Sequence, residues 1–256
     1  MTPSYRAARA FRKRGVISRL SDLIWPPRSL LSEAIVDRPG VIEPELWSEL
    51  KFLNDPLCTH CGFPLPDDVG PHAVCAACAG RKPAYDSARA ALAYDDQSRR
   101  LVLDLKRGGR RDGLPVFARW MAAAAGDRLE RADFIAPAPM HWTRLAVRSF
   151  NQAAWLAQAL STASGKRWKP GALARVKRRK SQAGLSAAER RRNVGGVIKA
   201  RGRFAGKTIL IVDDDEAVTQ IFRQQRDGLG DDLAEDARAE AAAQDENANR
   251  AVVRDR

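Results

Sequence analysis

The chain has 256 residues, of which 44 are Lys or Arg and 31 are Asp or Glu, so its formal net charge is +13. A hydrophobic content of 45% is enough for a packed core and excludes global disorder. No run approaches the roughly 18 apolar residues of a membrane helix. The Arg-rich N-terminus lacks the apolar segment of a secretory signal, although such a start can also mimic an organelle transit peptide. We expect a soluble, cytoplasmic protein.

The sequence pattern divides the chain into four parts. Residues 1–25 predict a basic helix that ends at Pro26, and residues 26–82 are Pro-rich and predict a small ribbon module. Residues 85–222 alternate strands with helices, which favours a parallel α/β sheet. The predicted strands are at 88–94, 133–139 and 207–212, and the predicted helices are at 98–106, 114–131, 151–164 and 186–193. Residues 223–256 have a net charge of −3 and few large apolar residues, which is typical of a disordered tail or a frayed helix without a further buried strand.

Cysteine occurs at only four positions, in two C-x-x-C pairs separated by 13 residues. The four are Cys58, Cys61, Cys75 and Cys78. Two disulfides are one interpretation, but a reducing cytosol disfavours them and each ring would be tight. Four thiolates at this spacing are typical of one tetrahedral zinc ion. His60 and His72 lie within the cluster and could substitute, but four cysteines already fill the shell. The sequence therefore predicts a structural zinc site, closed to water and substrate.

Acidic residues follow the predicted strand at 207–212. Asp213 and Asp214 are the first of them, and the carboxyl end of a central strand is where such sheets bind ligands. The strand and its acids resemble the start of a response-regulator receiver domain. Only 44 residues follow Val212, whereas a five-stranded receiver needs more than twice that number. We therefore reject the receiver interpretation.

A basic segment at 175–203 contains eleven Lys or Arg residues and one acid, Glu189. Charge runs are often only a solvated face. The alternative is a site for phosphate, pyrophosphate or nucleic acid. Aromatic residues do not interleave with these bases, which weakens the case for base stacking there. The residues alone leave both interpretations open.

Ordered motifs from about residue 25 to residue 214 resemble the ComF family, in which a zinc ribbon precedes a phosphoribosyltransferase-like domain. The cysteine pairs match its ribbon, and residues 91–94 with 103–109 match its Y…LK-x-x-G motif. Residues 137–140 followed by 148–153 match its P-V-P…R-G-F-N-Q-A block. Residues 182–194 match Q-x-x-L-S-x-x-E-R-x-x-N-V. The last two blocks are the most specific.

The resemblance implies a parallel-sheet, type I phosphoribosyltransferase-like domain at 85–222 behind the zinc-ribbon module. It implies a phosphoribosyl pyrophosphate-type ligand with Mg²⁺, whose ribose hydroxyls Asp213 and Asp214 would hold directly or through the metal. The positions that would line or brace this site are Lys106, Arg148, Asn151 and Gln152. Helix capping is an equal alternative for the last two. The family's association with competence gives an alternative function, a non-enzymatic DNA-uptake protein that binds DNA through 175–203.

Two features depart from the family pattern. An upstream zinc ribbon is degenerate, because its ligand positions are here Ser29, Ser32, Glu43 and Leu46. We expect no metal there. Residues 215–219 replace a T-T-G-A-T type loop whose N–H groups would hold a phosphate, and the replacement has no glycine and two added carboxylates. We therefore expect a C-terminally truncated domain whose transferase activity is open to question. We hypothesise a disrupted reading frame near residue 214 or 215, which translation of the other two frames tests.

Overall fold

The computed structural model describes residues 26–66, 69–70, 72–80, 83, 85–108, 111–176, 198–214 and 218–223. For residues 107–108, 147–148 and 218–223 only the backbone is described. The predicted helices at 1–25 and 186–193 lie outside this part of the chain, and so does the predicted tail at 223–256 except for Arg223.

Two small modules occupy residues 26–80. In the first, a bridge between Arg28 and Ile35 precedes helix α1 (Pro44–Ser48). In the second, a bridge between Leu57 and Pro64 precedes helix α2 (Ala76–Gly80). The second module turns at Gly62, which has φ +76° and lies so near β1 that a Cβ would meet the Ala88 carbonyl oxygen at 2.9 Å. The zinc-ribbon module predicted near the N-terminus is confirmed as this pair of turns and short helices.

Six strands are described, and four of them form the central sheet. They are β1 (Ser87–Ala90), β2 (Phe134–Pro137), β3 (Leu173–Arg175), β4 (Ile198–Ala200), β5 (Thr208–Val212) and β6 (Val218–Arg223). The sheet order is β1-β6-β5-β2, and β3 pairs with β4 in a separate antiparallel sheet. Strands β2 and β5 are parallel, with Pro137 opposite Val212, whereas β6 is antiparallel to both of its neighbours.

The sheet differs from the predicted one in two respects. It is mixed, because only β2 and β5 run parallel among the described strands. Strand β6 begins at Val218, where the sequence was interpreted as a replaced ligand loop with no later strand. Its residues do not alternate strictly between apolar and polar, so no two-residue period predicts this strand, and backbone pairing with β1 and β5 decides the conformation. The chain thus forms a mixed α/β domain with a small parallel element.

Five helices are described in the α/β domain. They are α3 (Asp96–Gly108), α4 (Leu114–Ala125), α5 (Asp127–Arg131), α6 (Trp142–Arg148) and α7 (Gln152–Ser164). Four of them, all except α6, contribute buried residues to the core on one face of this sheet. Leu210 and Val212 of β5 pack with Met121 of α4 and Leu156 of α7. The alternate residues of β5, with Phe134 and Phe204, form a second core on the opposite face. The predicted helix at 114–131 is two helices, because the chain adopts φ +53° at Gly126.

The first ribbon module shares its core with the helices. Leu30, Leu31 and Ile42 pack in one buried cluster with Leu101 of α3 and Val116 of α4. An aromatic group extends this contact, and its members are Trp47, Phe52, Phe117 and Trp120. None of the helices in the described ranges has the length and apolar content that a bilayer crossing requires.

Candidate functional site

The four cysteines converge at the second ribbon module. Their Sγ atoms all lie within 4.8 Å of one another, and those of Cys61 and Cys75 are 3.6 Å apart. A disulfide would bring two sulfurs to about 2.05 Å, so these thiols are not paired in disulfides. A tetrahedral zinc ion with Zn–S bonds of about 2.3 Å separates its sulfurs by roughly 3.8 Å. The cluster therefore fits a structural zinc ion in a zinc ribbon.

The local structure favours the thiolate form of one cysteine, which is the form that binds a metal. Burial raises the pKa of Cys58, but N–H groups of Cys61, Cys75 and His60 stabilise its thiolate more and bring that pKa to about 7. One of these contacts is the Cys75 N–H group, which donates to Cys58 Sγ at 3.3 Å. By contrast, burial raises the pKa of the Cys78 thiol, and the adjacent Cys61 raises it further. A divalent cation removes this conflict, because it stabilises all four thiolates together.

Arg89 lies beside the cysteine cluster, a position that the sequence did not indicate. It lies on β1 and is buried, and its guanidinium donates to the carbonyl oxygens of Cys58 at 3.0 Å and Ala88 at 2.7 Å. Burial, followed by repulsion from Arg128, lowers the pKa of Arg89. A zinc ion with four thiolates carries a formal charge of −2, so a buried cation beside the first ligand favours the site electrostatically. The sequence does not predict this role, because a single Arg within a four-residue strand forms no recognisable pattern.

The two histidines considered as alternative ligands are placed differently from the cysteines. His60 Nδ1 lies 3.2 Å from the carbonyl oxygen of Asp86. His72 is exposed to solvent. In the described part of the chain, the group that could hold a metal ion contains the four cysteines and neither histidine.

A second candidate site lies at the carboxyl end of β5. Asp213 and Asp214 follow the strand and are each only 8% exposed. Lys106 Nζ, on α3, lies 3.5 Å from Asp214 Oδ2, and the Asp214 N–H group donates to Asp213 Oδ1 at 2.9 Å. The Ala138 N–H group donates to the Val212 carbonyl oxygen at 2.8 Å, so the residues after β2 lie beside this end of β5. The structure thus brings Lys106 to the acidic pair that the sequence indicated.

The remaining predicted site residues occupy the start of α7 and the end of α6. Asn151 is the N-cap of α7, where its side chain accepts from the Ala153 N–H group and donates to the Ala138 carbonyl oxygen at 3.1 Å. Gln152 is fully buried, and neither amide atom has a hydrogen-bond partner. The side chain of Arg148 lies outside the described atoms. Asn151 therefore has the capping role that was the alternative to ligand binding, and it also joins α7 to the loop after β2.

An apolar pocket of about 50 Å³ borders Asp214. Leu105 of α3, Phe117 and Trp120 of α4, and Leu156 of α7 contribute to its walls. Such walls suit an apolar group and not a phosphate. A charged ligand at the acidic pair would therefore lie outside this pocket.

The basic segment at 175–203 is described only at its two ends. Arg175 of β3 lies opposite Ile198 of β4, so backbone pairing joins the two ends. Lys199, Arg201 and Arg203 are exposed. The other bases of the segment lie outside the described residues.

Comparison with known proteins supports the ribbon and shows that part of the chain is similar to distant relatives. Residues 20–79 match the double zinc ribbon domain family. Proteins named "DNA utilization protein YhgH" from Escherichia coli O6:H1, Escherichia coli O157:H7 and Salmonella typhimurium are each 28% identical to the chain over 163 residues. That stretch covers 62% of this chain and 70% of each relative. No solved structure matches the chain. The first finding supports a zinc ribbon near the N-terminus of this chain. The second shows a distant similarity to proteins that are named for DNA utilization.

Proposed function

We propose that the carboxyl end of β5 binds a phosphoribosyl pyrophosphate-type ligand together with Mg²⁺. The observation that carries this proposal is the placement of Asp213 and Asp214, which are buried next to the only parallel strand pair among the described strands. Carboxylate oxygens are the ligands that Mg²⁺ prefers, and they also accept hydrogen bonds from a ribose diol. Lys106 balances one of the two negative charges. A divalent cation bound here would therefore meet a site of opposite charge.

The same site is poorly equipped for the ligand's phosphate, so we expect weak binding and little transfer. A phosphate cradle needs converging N–H groups, which a glycine-bearing loop before a helix supplies. Here β5 is followed by the antiparallel strand β6. The intervening sequence has no glycine, and Asp215 and Glu216 add two carboxylates. Each would repel a nearby phosphate by on the order of 1 kcal/mol if unscreened.

Thermal unfolding with phosphoribosyl pyrophosphate, with and without Mg²⁺, tests the proposed binding. We expect a saturable, Mg²⁺-dependent rise in Tm that Asp213→Asn and Asp214→Asn each remove. Asp104→Asn is the matched control, because Asp104 is an exposed acid on α3. Pyrophosphate alone should give no comparable rise, since it lacks the ribose hydroxyls.

Restoring the loop tests why binding is weak. The change combines Asp215→Thr, Glu216→Thr, Ala217→Gly and Val218→Ala. It removes two carboxylates and adds a glycine, so we expect at least about tenfold tighter binding, which corresponds to about 1.4 kcal/mol. If neither the natural chain nor this variant shows a Mg²⁺-dependent rise in Tm, the proposal is wrong.

A second candidate function is nucleic-acid binding in DNA utilization, and a different observation favours it. Residues 134–188 contain ten Lys or Arg and no Asp or Glu. Within this acid-free stretch, helix α6 follows β2 and displays Trp142, which is 70% exposed. Arg144, two residues later, is also exposed. An exposed aromatic ring among cations suits a nucleic-acid strand, because bases stack on the ring while the cations contact phosphates.

Binding of a labelled oligonucleotide at several salt concentrations tests this second candidate. We expect log affinity to fall linearly with log salt concentration. Trp142→Ala should weaken single-strand binding by roughly 1–3 kcal/mol and leave the salt dependence unchanged. Ile35→Ala is the control, because Ile35 is 68% exposed but belongs to the first ribbon module. Equal losses from the two variants would exclude stacking on Trp142, and a lack of binding at low salt would exclude the function.

A further inference from the structure

The two ribbon modules repeat the same features in the same order. In each, two bridge residues lie seven positions apart, as Arg28 and Ile35 or Leu57 and Pro64. In each, a five-residue helix follows. Cys58 comes directly after the first bridge residue, Cys75 directly precedes α2, and Cys78 is the third residue of α2. The residues of the first module at the corresponding positions are Ser29, Ser32, Glu43 and Leu46.

These four residues do not fit a zinc ion. Structural zinc sites use cysteine thiolate, histidine nitrogen or carboxylate oxygen. Only Glu43 offers such an atom, and the serine hydroxyls are neutral. Leu46 is partly buried and packs against the apolar cluster that contains Leu30 and Val116. The fourth position therefore belongs to the core.

The three polar residues instead bind one another. Ser29 Oγ donates to Glu43 Oε2, and Ser32 Oγ donates to Glu43 Oε1, so one carboxylate joins both serines. Backbone N–H groups complete the cluster. The Leu31 N–H group donates to Ser29 Oγ at 3.2 Å, and the Ala34 N–H group donates to Ser32 Oγ at 3.0 Å. In the second module, the Cys58 sulfur likewise accepts from a backbone N–H group.

We propose that hydrogen bonds among Ser29, Ser32 and Glu43 replace the metal of the first ribbon, so that the chain binds one zinc ion although it matches a double zinc ribbon family. We call these three residues the serine–glutamate clasp. It joins the turn at residues 29–32 to the start of α1, as the thiolates join Cys58 and Cys61 to the start of α2.

Two further observations support the clasp. The hydrogen bond from Ser29, followed by that from Ser32, lowers the pKa of Glu43, so the carboxylate is the form that the clasp stabilises. The module is also held by apolar packing on the helices, since Leu30, Leu31 and Ile42 are buried against α3 and α4. A module that buries three aliphatic side chains depends less on a metal than an isolated zinc ribbon does.

The zinc content of the purified full chain, after incubation with zinc and removal of the excess, gives the first test. We expect one zinc ion per chain. Two ions per chain would overturn the proposal. Chelation should increase amide exchange in peptides within 57–66 and leave peptides within 27–43 protected. Equal deprotection of both modules would also contradict it.

Substitution of the carboxylate tests the clasp directly. Glu43→Ala should increase amide exchange within 27–43 by at least about tenfold, lower Tm by roughly 5 °C and leave the zinc content at one ion. Glu45→Ala is the matched control, because Glu45 is exposed and lies two residues further on. If Glu43→Ala prevents folding, Glu43→Gln replaces it in the same measurements, since this variant keeps the shape of the side chain but loses its charge. A variant at residue 43 that behaves like Glu45→Ala would refute the clasp.

Replacing the clasp by cysteines tests the equivalence of the two modules. The change combines Ser29→Cys, Ser32→Cys, Glu43→Cys and Leu46→Cys. We expect this variant to bind two zinc ions per chain, because its four thiols occupy the positions that hold the thiols of the second module. A folded variant that still binds one ion would overturn that equivalence, and the proposal with it.

Discussion

Arg89 is the residue outside the cysteines that we expect to matter most for the zinc ribbon. Its guanidinium is buried and donates to carbonyl oxygens of Cys58 and Ala88. Arg89→Met should cost about 2 kcal/mol of unfolding free energy, because it leaves buried acceptors unpaired. It should also weaken zinc binding, since it removes a cation beside the thiolates. Arg99→Met, at an exposed position of α3, should change stability by less than about 0.5 kcal/mol.

Urea unfolding and competition with a chelator measure the two effects of Arg89→Met separately. A loss of stability without faster release of zinc would limit Arg89 to a packing role. Equal behaviour of the Arg89 and Arg99 variants would contradict both roles.

Asp133 gives a prediction about pH. Its Oδ1 lies 2.9 Å from Lys207 Nζ, and its Oδ2 accepts from the Thr208 N–H group at 2.8 Å. The contact with Lys207, followed by that with Thr208, lowers the pKa of Asp133 below its ordinary 3.8. A carboxyl whose pKa is lowered on folding stabilises the fold above its unfolded pKa and loses that contribution as pH falls through the folded value.

Asp133→Asn should therefore destabilise the protein at pH 6 and less at pH 3, because the contribution declines as pH falls below 3.8. The effect at pH 6 should be no more than about 1 kcal/mol, because solvent screens this pair. Urea unfolding of the natural chain and the variant at both pH values measures it. Asp104→Asn is the control, and a difference for Asp133→Asn that does not depend on pH would contradict the assignment.

Single residues differ in how far the sequence reveals their roles. The cysteines could be predicted because their spacing alone implies a common ligand, and Asp213 and Asp214 because acids after a buried strand are conspicuous. Arg89 could not, since two of its partners are backbone carbonyl groups of Cys58 and Thr59, about 30 positions earlier in the chain. Glu43 was predicted only as a lost metal ligand. Its contact with two serines depends on a fold that brings residues 29–32 and 43 together.

Among the secondary-structure elements, Gly126 decides where the long helical stretch divides. It has φ +53° and ψ −132°, a conformation that side chains disfavour. Gly126→Ala should therefore cost about 1–2 kcal/mol, although a Cβ there would meet no atom within 4 Å. Gly171→Ala is the matched control, because its Cβ also meets nothing and its φ is not positive. Thermal unfolding of both variants measures the difference, and equal Tm values would exclude backbone strain.

The start of α7 provides a second prediction at the level of the helix. Asn151→Ala removes the acceptor for the Ala153 N–H group and the donor to the Ala138 carbonyl oxygen. We expect a loss of about 1–2 kcal/mol in chemical unfolding. Asn151→Asp keeps the cap and loses only the second contact, so it should recover part of this loss. Gln158→Ala, on the exposed side of α7, is the control, and a similar loss there would contradict the capping role.

Local signals determine which elements the sequence could predict. Helix α7 begins within one residue of its predicted start, because Asn151 is a good N-cap. It ends at its predicted last residue, because Gly165 adopts a left-handed conformation there. Helix α6 was not predicted, since its large apolar residues Trp142 and Leu145 are exposed and give no pattern of a buried face. Strand β6 was missed because the acids before it indicated a loop. Its conformation depends on partners more than 100 positions away in β1.

At the scale of the whole molecule, β6 connects the two ends of the sheet. Strand β1 pairs only with β6 among the described strands, and β6 pairs with β5, which carries the acidic pair at its end. Removing β6 would separate β1, and the Arg89 that braces the zinc ribbon, from the sheet that holds the candidate ligand site. The ribbon and the strand-end site are therefore expected to share one cooperative unfolding transition.

Two truncations test this arrangement. A chain that ends after Arg223 keeps every described strand, so we expect its Tm to lie within about 3 °C of the full chain's, a shift that corresponds to about 1 kcal/mol. A chain that ends after Asp214 keeps the acidic pair but loses the nine register positions at which β6 faces β1 and β5. At about 0.5 kcal/mol for each lost pairing, it should lose on the order of 4 kcal/mol, a large part of a typical domain's stability. Thermal unfolding and limited proteolysis measure both. Equal stability of the two truncated chains would show that β6 is dispensable and that β1 is held to the domain by its contacts with the helices and the ribbon.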